Sequence, residues 1–258
     1  MATRPTPTHL GDADVASVAA LVAEPARARI LFALGDGRAL AASVLAAEAG
    51  VAPSTASTHL ARLVEGGLLT VLPQGRHRYY RLAGPEVGAL LEALARVAPP
   101  APVRSLRQGT RAAAVRRGRT CYDHLAGRLG VALFAALLDA GHVVGGDGRH
   151  DPATADRDRL SAPGHDRDYR LTAGGIDALD RLGVVLPAAA ADGTVALRYC
   201  VDWSEQRHHL AGPVGRALAD RLFERGWLRR TPAGRAVQVS DAGRRGLAGL
   251  GVRLGGEG

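Results

Sequence analysis

Pro53-Ser54-Thr55-Ala56-Ser57-Thr58-His59-Leu60-Ala61-Arg62-Leu63-Val64-Glu65, stopped by Gly66-Gly67, is the stretch from which the rest of the chain is read. Pro53 suits the first turn of a helix, where its missing N–H is no loss, and the glycine pair suits the end of one. Ala56, Leu60, Leu63 and Val64 recur at i, i+4, i+7 and i+8, so one side of this helix is an apolar stripe that needs a core. The other side carries Ser54, Thr55, Ser57, Thr58 and Arg62, and His59 is counted with them as DNA-facing. Small hydroxyl side chains let a helix approach base edges closely and can bond bases or phosphates. The free amides of the first turn add an affinity for phosphate.

Outward from this helix the pattern continues on both sides. Ala39 to Ala49 reads as a short helix ended by Gly50, giving a helix, a tight turn and a second helix. Further upstream, Asp12 to Leu21 and Pro25 to Leu34 are helical. Downstream, Leu68 to Leu72 and Arg78 to Leu82 are strand-like, with Pro73-Gln74-Gly75 between them as a hairpin signal. Gln74, Arg76, His77 and Arg78 make the hairpin tip a basic wing suited to the DNA backbone or minor groove. Gly84 to Val97 is helical again, and Ala98-Pro99-Pro100-Ala101-Pro102 marks a domain boundary. The expected layout is a disordered stretch at 1–10, a winged helix-turn-helix over 11–98, and a Pro-rich linker with a basic helix over 99–119. A C-terminal domain for sensing or dimerisation follows over 120–258.

These stretches resemble the ArsR/SmtB family of bacterial transcriptional regulators. The resemblance rests on Glu24-Pro-Ala-Arg-Ala-Arg-Ile-Leu31, Leu45-Ala-Ala-Glu-Ala-Gly-Val51, the recognition-helix run itself, and Gly75-Arg-His-Arg-Tyr-Tyr-Arg-Leu82, about a third of the chain. It implies a homodimeric repressor that binds double-stranded DNA and releases it for an effector, with segments 12–22 and 84–97 forming the dimer interface. Ala52 stands where the family has a helix-capping serine. Residues 39–49 contain no cysteine, and residues 84–97 contain no His or Asp, so the usual metal sites of the family are absent from this domain.

Charge and composition agree with a polyanion-binding protein. The chain has 258 residues and a formal charge of +8, and all 33 of its basic residues are arginine. Residues 1–100 hold 9 Arg against 8 acids and residues 101–258 hold 24 against 17, so the excess lies in the second half. Arg104, Arg107, Arg111, Arg116, Arg117 and Arg119 occur without an acid between them. The first three share one helical face, which is either solvated or laid on DNA backbone. No stretch approaches the ~18 apolar residues of a spanning helix, and the N-terminus lacks a signal-peptide core. Two cysteines cannot build a disulfide scaffold. A cytoplasmic protein is expected.

The second half contains an internal repeat. Residues 124–143 and 209–228 match at nine of 20 positions at an offset of 85, both opening His-Leu-Ala-Gly. Residues 169–184 and 237–252 match at five of 16 at an offset of 68, with Thr172 and Ser240 equivalent as helix N-caps. Each unit reads as helix, strand, loop, strand, helix. The overall expectation is a mainly α fold with small β (α+β): a winged helix-turn-helix followed by a duplicated helix–hairpin–helix, winged-helix-like domain.

Cys121 and Cys200 each precede a repeat, with Asp123 and Asp202 two residues later and His124 and His209 at the repeat starts. Cys121, His124, Cys200 and His209, with His208 nearby, fit a soft metal or a thiol switch. Equally, the cysteines fill symmetric core positions while Asp and His cap helices. Trp203, Trp227, Phe223 and Tyr199 cluster in sequence as core or as a small-molecule pocket. Val143-Val-Gly-Gly-Asp-Gly148 resembles a methyltransferase glycine loop, the basis of an alternative in which the winged helix only dimerises a small-molecule-modifying enzyme. That loop, however, lacks the surrounding parallel βαβ pattern such chemistry needs. No catalytic residue is assigned, and DNA binding itself needs no cofactor.

Overall fold

The computed structural model describes residues 13–74, 77–99, 106–160, 162–187, 196–231 and 235–254. Expectations for 1–10, Arg76 and Arg104, and most of the proline boundary, lie outside those residues.

Helices α1 (Val15–Ala23), α2 (Pro25–Ala33), α3 (Ala42–Ala49) and α4 (Pro53–Glu65) precede a hairpin of β2 (Leu69–Gln74) and β3 (His77–Leu82), and α5 (Pro85–Val97) follows. Both predicted strands run to the hairpin tip, pairing Leu69 with Leu82 and Gln74 with His77. The start of the segment read as helical from Ala39 is instead a short strand, β1 (Leu40–Ala41), pairing with Tyr80 and Tyr79 on β3. The three-stranded order β1-β3-β2 results.

Capping sets these boundaries. Glu24 accepts hydrogen bonds from the Ala26 and Arg27 amides at 3.0 and 2.7 Å, opening α2. Buried Arg27 turns back to the Leu21 and Ala20 carbonyls, closing α1. Gly50 ends α3 at φ 69°, a left-handed value that a side chain disfavours, and the Val51 amide returns to the Ala46 carbonyl. α4 has no side-chain cap at Ala52 and relies on Pro53 in its first turn. Ile30, Leu31, Leu34, Leu45, Leu60, Leu63 and Leu91 are fully or nearly fully buried in one core.

Beyond α6 (Leu106–Arg117) come two segments with the same order of elements. The first is β4 (Arg119–Cys121), β5 (His124–Ala126), α7 (Gly127–Asp139), β6 (Val143–Val144), β7 (Arg170–Leu171) and α8 (Ala173–Leu182). The second is β8 (Arg198–Val201), β9 (His208–Ala211), α9 (Gly212–Glu224), β10 (Leu228–Arg230), β11 (Val237–Val239) and α10 (Asp241–Gly249). Their details correspond. Thr172 caps α8 through the Gly175 amide and donates to the Gly141 carbonyl, as Ser240 caps α10 through Gly243 and donates to Gly226. Gly175 and Gly243 lie so near the carbonyls of His142 and Trp227 that a Cβ on either would sit 2.1 Å from the oxygen. Both segments contribute to a second core, with Phe134, Tyr169, Leu179, Tyr199, Leu222 and Leu247 inside it.

Arg119 departs from the expected basic helix. It lies in β4, 1% exposed, donating to Asp202 at 2.9 Å and Ser204 at 3.1 Å. A guanidinium with no water must have an acid, and the acid is supplied by the other repeat. Val143 and Val144 pair antiparallel with Leu171 and Arg170. The glycine-rich stretch after them packs against Asp168 and Tyr169 and, among the described residues, opens no parallel βαβ unit. No helix among the described residues is long and apolar enough to cross a membrane.

The two cores meet through buried charge. Glu92 of α5 pairs with Arg235, and Asp36, 3% exposed, pairs with Arg38 and lies 3.8 Å from Arg230. Arg235→Leu would strand the Glu92 carboxylate away from water. It should cost about 3–5 kcal/mol of stability, read as a lowered urea midpoint. Arg235→Leu combined with Glu92→Leu should recover most of that loss; an additive double variant would contradict the pairing.

Candidate functional site

α4 separates its faces as its sequence pattern requires. Ala56, Leu60 and Leu63 are wholly buried, Val64 is half-buried, and Ser54, Thr55, Ser57, Thr58 and Arg62 are exposed on the outer side. The Ser57 and Thr58 hydroxyls donate to the carbonyls of Pro53 and Ser54 at 3.0 and 3.4 Å, which leaves their lone pairs outward. His59 stands apart from this ridge. Its ring is mostly buried, 3.6 Å from the Glu24 carboxylate that caps α2, so it faces the scaffold.

Gln74 and Arg78 are exposed on the hairpin, on either side of the undescribed tip that includes Arg76. Arg81, further down β3, donates to Thr70 across the hairpin at 3.2 Å. A concavity of about 600 Å³ lies between α4 and the hairpin, with Ser57, Ala61, Arg78 and Tyr80 in its lining. The exposed hydroxyl ridge and the basic hairpin therefore flank one groove.

A second constellation assembles in the C-terminal half. Cys121 and His124 are cross-strand partners in the β4–β5 hairpin, and Cys200 and His209 are cross-strand partners in β8–β9. The two hairpins face each other, so one ligand atom from each of these residues lies within 4.8 Å of the others. The two imidazoles stack with centroids 5.2 Å apart. His124 Nδ1 is 3.0 Å from Asp123, and the ring's Nε2 is buried without a hydrogen-bond partner among the described residues, as are both nitrogens of His209. Burial disfavours protonated His124, yet the Cys121 sulfur and Asp123 carry it up to about 9. Burial and the nearby His124 hold His209 well below its ordinary value.

His208 does not join this group. Successive residues of a strand point to opposite faces, and His208 meets Tyr169 at 2.8 Å and Asp158 at 3.5 Å. His150, Asp158 and His208 form a separate set of potential ligands beside a cavity of about 440 Å³ that Arg149, Arg157 and Arg167 also line. Burial lowers His208 to about 4 against the attraction of Asp158, with His150 adding to the lowering. This set was missed in sequence because His150 and Asp158 lie in a stretch read only as polar loop. Two carboxylates organise that stretch: Asp166 accepts from the amides of Asp156, Arg157 and Asp158, and Asp158 accepts from the amide of Asp166 and the Tyr199 hydroxyl. The usable signal was the His208-His209 tandem, since one strand cannot aim both rings at one centre.

The aromatic residues do not gather into one pocket. Tyr199 is buried against Tyr169, whereas Trp203, Trp227 and Phe223 lie under the guanidinium groups of Arg119, Arg225 and Arg230 respectively.

Comparison with known proteins places the DNA-reading motif in context. A family model described as a helix-turn-helix domain matches residues 22–71. "Uncharacterized HTH-type transcriptional regulator YdfF" of Bacillus subtilis (strain 168) is 35% identical over 231 residues, spanning 90% of this chain and 94% of the relative. Among solved structures, the homodimeric winged helix-turn-helix DNA-binding domain of Mb0332 from Mycobacterium bovis, titled a possible ArsR-family transcriptional regulator, is 35% identical. It covers 34% of this chain and 86% of that one, at a TM-score of 0.30. Reduced HlyU from Vibrio cholerae N16961 is 28% identical over 33% of this chain and 88% of its own, also at a TM-score of 0.30.

Asp202 supports the cysteine–histidine group from behind. Besides Arg119 it accepts from the amides of Gly127, Ser204 and Glu205, and it lies 3.6 Å from His209 Nδ1. Burial alone would raise its carboxyl, but Arg119, His209 and the Gly127 amide hold it at about 2. Asp202→Ala would leave Arg119 charged and dry, at a cost of about 3–5 kcal/mol, whereas Ser204→Ala should cost about 1 kcal/mol. Chemical denaturation of both variants checks the order; equal costs would remove Asp202 from this role.

Proposed function

The chain belongs to the family of HTH-type transcriptional regulators, and from that premise we propose that α4 enters the DNA major groove while the β2–β3 hairpin grips the flanking backbone or minor groove. In this reading Ser54, Thr55, Ser57, Thr58 and Arg62 meet base edges and adjoining phosphates, and Gln74, Arg76 and Arg78 supply the wing. His59 anchors α4 to Glu24 and makes no groove contact. The single observation that carries the reading is the division of α4. One side is locked in the core by Ala56, Leu60 and Leu63, and the other is an uncovered ridge of small hydroxyl residues.

The assembly is a homodimer of the ArsR type acting as a repressor in the cytoplasm. Support for dimerisation comes from α1, whose nine residues Val15–Ala23 contain no charge and none of which is buried in the single chain. Val15 and, at the end of α5, Val97 are 70% and 72% exposed. A second copy that covers α1 and α5 removes this apolar surface from water. The C-terminal half is a duplicated helix–hairpin–helix that serves as the sensing part. Its support is the shared order of elements and the matching caps at Thr172 and Ser240.

Electrophoretic mobility shift with the DNA upstream of the protein's own gene tests the reading, and absence of a specific band would overturn it. Arg78→Ala or Arg76→Ala should weaken operator and random DNA alike and reduce the salt slope by roughly 0.9 for each phosphate left without its arginine. Ser57→Ala or Thr58→Ala should instead alter base preference, at about 1–3 kcal/mol per affected position. Equal losses on operator and random DNA for the α4 variants would contradict the groove assignment.

A further inference from the structure

We propose that Cys121, His124, Cys200 and His209 form a closed tetrahedral site for a thiophilic ion of the zinc class, and that the ion fixes the β4–β5 turn against the winged helix. The first half of this proposal is independent of DNA binding; its regulatory meaning rests on the regulator reading above.

Geometry comes first. Tetrahedral zinc at about 2.3 Å from sulfur and 2.0–2.1 Å from nitrogen sets its ligand atoms roughly 3.3–3.8 Å apart. The four groups present ligand atoms that all lie within 4.8 Å of one another, close enough for small side-chain rotations to complete the tetrahedron. Each ligand pair is held by strand register, Cys121 opposite His124 and Cys200 opposite His209, so backbone pairing places the ligands before any ion arrives.

The second observation is the unmet demand at the centre. His124 and His209 are 6% and 2% exposed, and their unpartnered nitrogens gain nothing from protein hydrogen bonds among the described residues. Leaving such atoms dry and unpaired costs free energy; a metal ion takes one nitrogen of each ring. The outer partners suit ligation: Asp123 takes His124 Nδ1, which leaves Nε2 for the ion, and Asp202 lies beside His209 Nδ1. Two thiolates and two imidazoles favour zinc-class ions over magnesium or calcium, which take oxygen. Four protein ligands leave no position open for a substrate.

The link to the winged helix is Tyr122. It stands between two ligands in the turn Cys121-Tyr122-Asp123-His124, in the left-handed region at φ 59°. Its amide donates to the Gly35 carbonyl at 3.2 Å, and its ring packs on the winged-helix core over Gly37 and Gly88. Clamping both ends of the turn therefore fixes a side chain seated in the other domain.

The full-length protein, reduced and stripped with a chelator, should bind one equivalent of cobalt(II) with the visible bands of a tetrahedral ion and thiolate charge transfer. Cys200→Ser should lose the charge-transfer intensity and stoichiometric binding. Asp123→Asn, which leaves all four ligands in place, should keep the spectrum and weaken affinity about 10–100-fold. A wild-type protein that gives no tetrahedral spectrum, or an Asp123→Asn variant with unchanged affinity and a Cys200→Ser variant with unchanged spectrum, overturns the site. Zinc should slow hydrogen exchange in segments 31–37 and 85–95 of the wild type, and Tyr122→Ala should keep the cobalt spectrum while losing that protection. Exchange in those segments that ignores the metal overturns the coupling. Neither readout uses DNA, so a failure of the mobility shift remains a separate result.

Discussion

Arg119 and Asp202 meet at 2.9 Å with both side chains out of water, and the C-terminal half is arranged around that contact. Burying two charges is expensive, and breaking the pair would leave one of them dry and uncompensated. Here it joins the first strand of one repeat to the loop of the other. Because the same carboxylate also receives the Gly127 amide, it fixes the start of α7. Leucine and valine contacts are non-directional, whereas this ion pair is satisfied in one register. The cysteine–histidine group inherits its geometry from that register, since all four residues belong to the two hairpins the pair connects.

Much of the N-terminal domain was legible because its signals are local. The stripe of Ala56, Leu60 and Leu63, the stop at Gly50 and the turn residues near Gln74 each act within a few positions. β1 was not legible: Leu40 and Ala41 are extended only because β3 offers an edge to them. Arg119 misled for a similar reason, as a run of arginines looks solvated until a distant acid claims one. The caps at Thr172 and Ser240 were legible, since each acts within three residues of its own helix start. Whether the four cysteine and histidine residues meet was undecidable from spacing, because cross-strand register and the approach of two hairpins bring them together.

His208 and His209 show how period-two geometry divides chemistry. Adjacent in sequence, they serve opposite faces of β9: one joins the tyrosine–aspartate network at the arginine-lined cavity, the other the cysteine group. A change of backbone at this strand is therefore felt on both sides at once. The exposed ridge of α4 stands on a separate core, tied to this half through buried pairs such as Glu92–Arg235 and through Tyr122. The protein thus combines a winged helix-turn-helix with a second part joined to it by buried ion pairs and one aromatic side chain.

Asp202 stands 83 positions after Arg119 in the chain. During translation the guanidinium therefore emerges well before the carboxylate that receives it. The buried apolar residues of the winged helix-turn-helix core end at Leu91 and emerge earlier, whereas its buried Glu92 and Asp36 meet Arg235 and Arg230 only afterwards. Synthesis therefore delivers the apolar interior of the first part before the charges that fasten it to the second.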